Sequence, residues 1–197
     1  MEADWEVEIG GDGPVIEACW AGFIDLRKAP ERAAELDEVK SFSPLGQALI
    51  ALNAPGSAVW SAKCDAWLQL EEGAWDADEL DAAHDEALCA AACYIDLLAS
   101  DPAKALDEAH ARAIVRQLRS QTLTCCRVDL IVRRAWMGAT LPDSASAQTS
   151  DSAPLPFSTG LTAYLTACGA NEPAAQARLS ECLQLFAHVL KNGSTLQ

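Results

Sequence analysis

Basic residues are scarce in this chain. Its 197 residues include 14 lysines and arginines against 29 aspartates and glutamates, a formal charge of −15. Phosphate backbones are held by Lys and Arg, so a field of this sign excludes nucleic acid as an expected partner. Long apolar runs are missing too: the Ala-rich stretch from Ala87 is broken by Asp96 and Asp101, well short of the roughly 18 uninterrupted apolar residues of a spanning helix. The opening Met1, Glu2, Ala3, Asp4, Trp5, Glu6 has neither the basic start nor the apolar run of a secretory signal. A cytoplasmic location without membrane contact is the expectation. There is no Gly-x-Ser-x-Gly elbow, no Gly-x-Gly-x-x-Gly turn and no Cys-x-x-Cys. No motif therefore fixes a reaction or implies a cofactor, and the sequence leaves open whether the protein is an enzyme.

What is present suits a folded domain. Half of the residues are hydrophobic and 22% charged, and a chain of this length buries roughly 70% of its unfolded surface without metal or disulfide staples. The eight cysteines sit inside apolar runs, where buried free thiols are expected. The nearest ligand-like set is Cys89 and Cys93 with His110, which reads as thiols packed among alanines, so no metal is expected. The 38 alanines fit a high-GC bacterial genome.

Hydrophobic periodicity outlines the elements. Trp5, Val7 and Ile9 alternate with acids, and the glycines at 10, 11 and 13 then turn the chain. Residues 15 to 27 read as a second extended segment, and Pro30 and Pro44 open two short helices. Residues 58 to 69 form a long strand. Asp76 and Glu79 read as a capping box that opens a helix to about Ala99 along Leu80, Ala83, Ala87, Ala91, Ile95 and Leu98. A second helix after Pro102 then makes an αα-hairpin. Residues 122 to 135 return to a two-residue period, and Ser158 and Pro173 open two closing helices. The expected class is α+β: an antiparallel or mixed sheet of about four strands with helices packed on one face. Residues 1–136 form its core, 137–157 a Ser/Ala/Pro-rich loop or linker, and 158–197 a C-terminal helical pair packed on that core, a single domain overall.

Two polar patterns stand out. Asp25 with Arg27, Lys63 with Asp65, and Arg127 with Asp129, continued by Arg133, place acid and base two residues apart on extended segments. Strand alternation puts each pair on one side, with Trp67 on the Lys63 side. Neighbouring strands would make one charged sheet face, either a lattice of cross-strand ion pairs or a cleft in which Arg27, Lys63, Arg127 and Arg133 bind an anion that Asp65 or Asp129 orients. The second pattern is lopsided charge: residues 1 to 108 carry −18 and the remainder +3. Acidity peaks from Glu71 to Glu86, where Glu71, Glu72, Asp76, Asp78 and Glu79 lead a run of eight acids without a base. Such a surface steers a basic protein partner. The leading expectation is a non-enzymatic protein-protein interaction module of inhibitor or immunity type. The alternative is a small-molecule, anion-binding protein or enzyme that uses the charged sheet face.

Overall fold

The computed structural model describes residues 1–11, 13–18, 20–71, 73–101, 103–136 and 157–192. In chain order these form β1 (Glu2–Glu8), β2 (Val15–Glu17), a 3₁₀ turn (Pro30–Glu35), α1 (Asp37–Ser41), α2 (Ser43–Leu52) and β3 (Val59–Trp67). A 3₁₀ turn (Asp78–Leu80), β4 (Cys89–Ala99), α3 (Glu108–Arg119), β5 (Cys126–Trp136), β6 (Phe157–Gly169) and α4 (Glu172–Asn192) follow. The fold is mixed α+β. The described residues make one mixed sheet of six strands rather than the expected four, in the order β1-β5-β6-β4-β3, with β2 also on β5. Strands β1 and β2 run parallel to β5, end to end along the same edge, and every other pairing is antiparallel.

The two added strands overturn two expected helices. Residues 76–99 do not form the first arm of an αα-hairpin: they make an irregular acidic loop and then β4. The Asp76 side chain accepts from the Asp78 amide at 2.9 Å and shapes the 3₁₀ turn instead of capping a helix. The first of the two expected C-terminal helices is β6, so 158–192 is a strand and one helix. Both strands lie inside the sheet, where the small cores at the ends of the second face bury further residues, and alanines buried on both sides blur the alternation of β4. The α3 helix starts at Glu108 rather than after Pro102, capped by Asp107, whose carboxylate accepts the His110 amide at 3.1 Å. Apart from Phe157, the 137–157 segment lies outside the described residues, as does Glu72.

One face of the sheet carries the main core. Val128, Leu130 and Val132 of β5, Leu161 and Leu165 of β6, and Ile95 and Leu97 of β4 meet Leu179, Leu183 and Phe186 of α4 and Ile114 and Leu118 of α3. Full burial of each such side chain stabilises the fold by about 1.5–3 kcal/mol. Arg119 fastens α3 to the sheet edge by donating to the Ala3 carbonyl at 2.7 Å, and Arg112 stacks over the Trp5 ring at 5.2 Å. Both arginines thus tie α3 to β1.

Among the described residues no helix packs over the middle of the opposite face. Two small cores cap its ends: Ile16, Ala18, Trp60, Ala62, Leu98 and Ala135 at one, and Ala77, Leu80, Ala87, Ala90 and Cys168 beneath the acidic loop at the other. The first requires Gly160 on β6. A Cβ there would lie 2.6 Å from the Leu97 carbonyl oxygen and 2.9 Å from Ile16 Cδ1. Between the two caps no described residue covers the sheet face.

Candidate functional site

A bulge between Ser61 and Lys63 sets which β3 side chains reach this face. Strict alternation would put Trp60 opposite Lys63, but the extra residue brings Trp60, Ala62, Lys63, Asp65 and Trp67 to the same side. Cys64 and Ala66 turn to the main core. The register then builds two polar rows across the sheet. One aligns Ile131, Thr162, Asp96 and Lys63, and the next aligns Asp129, Tyr164, Tyr94 and Asp65.

The rows form the floor of a trough of about 660 Å³, lined by Lys63, Trp67, Tyr94, Asp96, Arg133, Thr162 and Tyr164. The segment Pro14–Glu17 and Trp20 form one wall. The Trp20 indole donates to the Ala62 carbonyl at 3.2 Å, which fixes its ring beside β3. Trp20 and Trp67 remain 39% and 41% exposed. Two exposed indoles in one concavity, above a polar floor, are the usual makeup of a ligand pocket. Trp67 stacks on Tyr94 with centroids 5.8 Å apart, and Tyr94 meets Tyr164 at 5.8 Å.

A hydrogen-bonded chain crosses the floor. Glu8 accepts from Arg133 Nε at 2.9 Å, Arg133 Nη1 donates to the Thr162 hydroxyl at 3.1 Å, and that hydroxyl donates to Asp96 Oδ1 at 2.5 Å. Thr162 is wholly buried and Asp96 only 9% exposed. Burial pushes the Asp96 carboxyl above its ordinary pKa, while the Thr162 hydrogen bond, Arg133 and Lys63 pull it back part of the way. Lys63 is exposed and, among the described residues, closes no salt bridge. Burial first, then Asp96 and Asp65, raises the Tyr94 hydroxyl, so it stays a phenol able to donate.

The eight residues singled out for ligand binding divide into three groups. Lys63, Trp67 and Arg133 line the trough, and Asp65 stands beside Tyr94 with its carboxylate on the Ala66 amide at 2.7 Å. Arg127 and Asp129 share the face but pair with each other at 2.8 Å in a separate groove beside Asp4 and Glu6. Burial raises the Asp129 carboxyl against the pull of Arg127. Asp25 and Arg27 are not on a strand at all. They close a turn by a bidentate pair, and Arg27 lies 3.9 Å above the Trp60 ring. Their place is the roof of the small core, outside the trough.

Asp96, Thr162, Tyr94 and Tyr164 escaped the sequence reading because their strands read as helices. A period-two pattern was present: Thr162, Tyr164 and Thr166 alternate with Leu161, Ala163 and Leu165. The acids at Glu71, Asp76, Asp78 and Glu79 are all exposed on the loop, and Asp78 lies 3.6 Å from His84. Cys89 and Cys93 lie on β4 while the His110 ring caps α3 against Asp107 at 2.6 Å, so the three do not form a ligand set. No helix among the described residues is long and apolar enough to cross a membrane. Comparisons with protein-family models, with curated proteins and with solved structures each find no match.

Proposed function

We propose that the protein binds a small organic anion in the trough on the open sheet face. The observation that carries this reading is the convergence of Lys63, which closes no salt bridge among the described residues, with the fixed Arg133–Thr162–Asp96 chain beneath two exposed indoles. Lys63 supplies a mobile cation for a carboxylate or phosphate. Arg133, held by Glu8 at 2.8 Å, adds a fixed donor whose side chain is only 13% exposed. Trp20 and Trp67 cover the apolar part of the ligand, and burial of that part provides most of the affinity. Whether chemistry follows binding depends on the ligand, and Asp96 is the group placed to exchange a proton with it.

Thermal melts against benzoate, indole-3-acetate and adenosine monophosphate test this. A ligand at 100 times its Kd stabilises the fold by about 2.7 kcal/mol, a shift of several degrees, and Lys63→Ala or Trp67→Ala abolishes it. An unchanged shift in Lys63→Ala would remove the anion site.

A second reading, docking of a basic protein in the manner of an inhibitor or immunity protein, draws on the acidic loop. Glu71, Asp76, Asp78 and Glu79 form no salt bridge with Lys or Arg among the described residues, and Ala77, Leu80 and Ala87 anchor the loop. Crosslinked co-purification from native lysate tests it with these four acids neutralised to Gln and Asn. A partner captured equally by both proteins would end this reading.

A further inference from the structure

Lys63 and Asp96 are register partners on neighbouring strands, face the same trough and carry opposite charge, yet they do not join. Asp96 uses Oδ1 for the Thr162 hydroxyl and takes no other hydrogen bond among the described residues. Its second oxygen lines the trough and is left to accept from a bound donor. Arg133, the fixed cation of the trough, is already engaged by Glu8 through Nε and Nη2. An anion on Lys63 engages that cation but leaves this carboxylate without a counter-charge. A ligand with a cation of its own would instead satisfy it, next to the Tyr94 and Tyr164 side chains on the adjoining row.

We propose that the trough recognises a zwitterion of the amino-acid type, with its carboxylate on Lys63, its ammonium on Asp96 beside Tyr94 and Tyr164, and its side chain against Trp20 and Trp67. This rests on the anion-binding reading for the carboxylate half and adds the ammonium half. The spacing fits, because directly opposed residues on antiparallel strands sit about 4.5–5.5 Å apart at Cα, and an α-amino acid separates its two charged groups by a single carbon.

Isothermal titration of the full chain with L-phenylalanine, 3-phenylpropionate and 2-phenylethylamine separates the two halves. The expected result is that L-phenylalanine binds at least about tenfold more tightly than either analogue, a difference of about 1.4 kcal/mol. Asp96→Asn should bring L-phenylalanine down to the level of 3-phenylpropionate without weakening the latter, and Lys63→Met should bring it to the level of 2-phenylethylamine. If 3-phenylpropionate binds wild-type protein as tightly as L-phenylalanine, the zwitterion inference is overturned and the anion reading stands. If none of the three binds, the inference is overturned and the separate anion panel decides the trough. Asparagine keeps the acceptor for Thr162. Should Asp96→Asn still fail to fold, Lys63→Met, at an exposed position, carries the same test against L-phenylalanine and 2-phenylethylamine.

Discussion

Replacing Gly160 by alanine is the sharpest probe of how the trough is walled. The added Cβ would lie 2.6 Å from the Leu97 carbonyl oxygen, 2.8 Å from Leu98 Cδ2 and 2.9 Å from Ile16 Cδ1, whereas ordinary contact begins near 3.4 Å. Relief requires β4 and β6 to part locally by most of an ångström, and Leu98 and Ile16 to shift as well. The two side chains can turn, but the Leu97 carbonyl belongs to a paired strand and moves only with its ladder. Overpacking of this kind costs about 1–3 kcal/mol. A chain of this size loses about 2–4 °C of melting midpoint per kcal/mol, so a drop of about 2–12 °C follows. Gly10→Ala is the control, since a Cβ there meets nothing within 4 Å. Melts followed by far-UV circular dichroism compare the two variants. Equal midpoints would refute the close approach of Ile16 and Leu98 over β6, and with it the wall of the trough.

Asn53→Ala removes side-chain bonds to the Leu49 carbonyl at 2.8 Å, the Ser61 hydroxyl at 2.7 Å and the Ser61 amide at 3.2 Å. A loss of about 1–3 kcal/mol is expected from the stranded partners, read as a lower urea midpoint with unchanged slope. The Arg27 hydrogen bond holds Asp25 down at about 2 against an ordinary 3.8. Its stabilisation is therefore complete above 3.8 and disappears as pH falls through about 2, so Asp25→Asn should flatten the stability profile in that window. Asp96 behaves with the opposite sign. Burial raises its carboxyl, so its favourable contribution is present below 3.8 and is lost as pH rises through the raised value. Asp96→Asn should leave the apo protein at least as stable at neutral pH, and a clear loss in chemical denaturation there would contradict this. Iodoacetamide should label half-buried Cys125 in the native protein, whereas Cys93 and Cys182, fully buried and with thiols pushed up, should label only on unfolding.

Strands with one covered face and one open face were legible in the sequence. The β5 pattern, with Val128, Leu130 and Val132 on one side and Arg127, Asp129 and Arg133 on the other, survives intact because water contacts one of its faces. Helix α4 was readable from Pro173 and the Leu179, Leu183, Phe186 stripe. Strand β4 was not, since Ala90, Ala91, Ala92, Ile95, Leu97 and Leu98 are buried on both faces and alanine favours helix where packing is unknown. That misreading hid Asp96, the single acid in an eleven-residue apolar strand. The bulge at Ala62 was equally invisible, because a one-residue register shift leaves no mark in a period-two pattern until its partner strand is known. Three site residues, Lys63, Trp67 and Arg133, were nonetheless found, since charge and aromaticity on a half-open strand need no partner to stand out.

The parallel seat of β1 on β5 makes time a constraint. Glu8 and Arg133, which join these strands, are 125 residues apart. At the usual synthesis rate of about 5–20 residues per second, roughly 6–25 s pass before the strand that receives β1 has been made. Through that interval Trp5 and the carbonyl of Ala3 have neither the Arg112 ring contact nor the Arg119 hydrogen bond that later hold them. The acids at Glu2, Asp4, Glu6 and Glu8 then serve a purpose unrelated to the finished face: on a nascent strand they repel like strands on neighbouring chains and keep an unpaired edge in solution until its place exists.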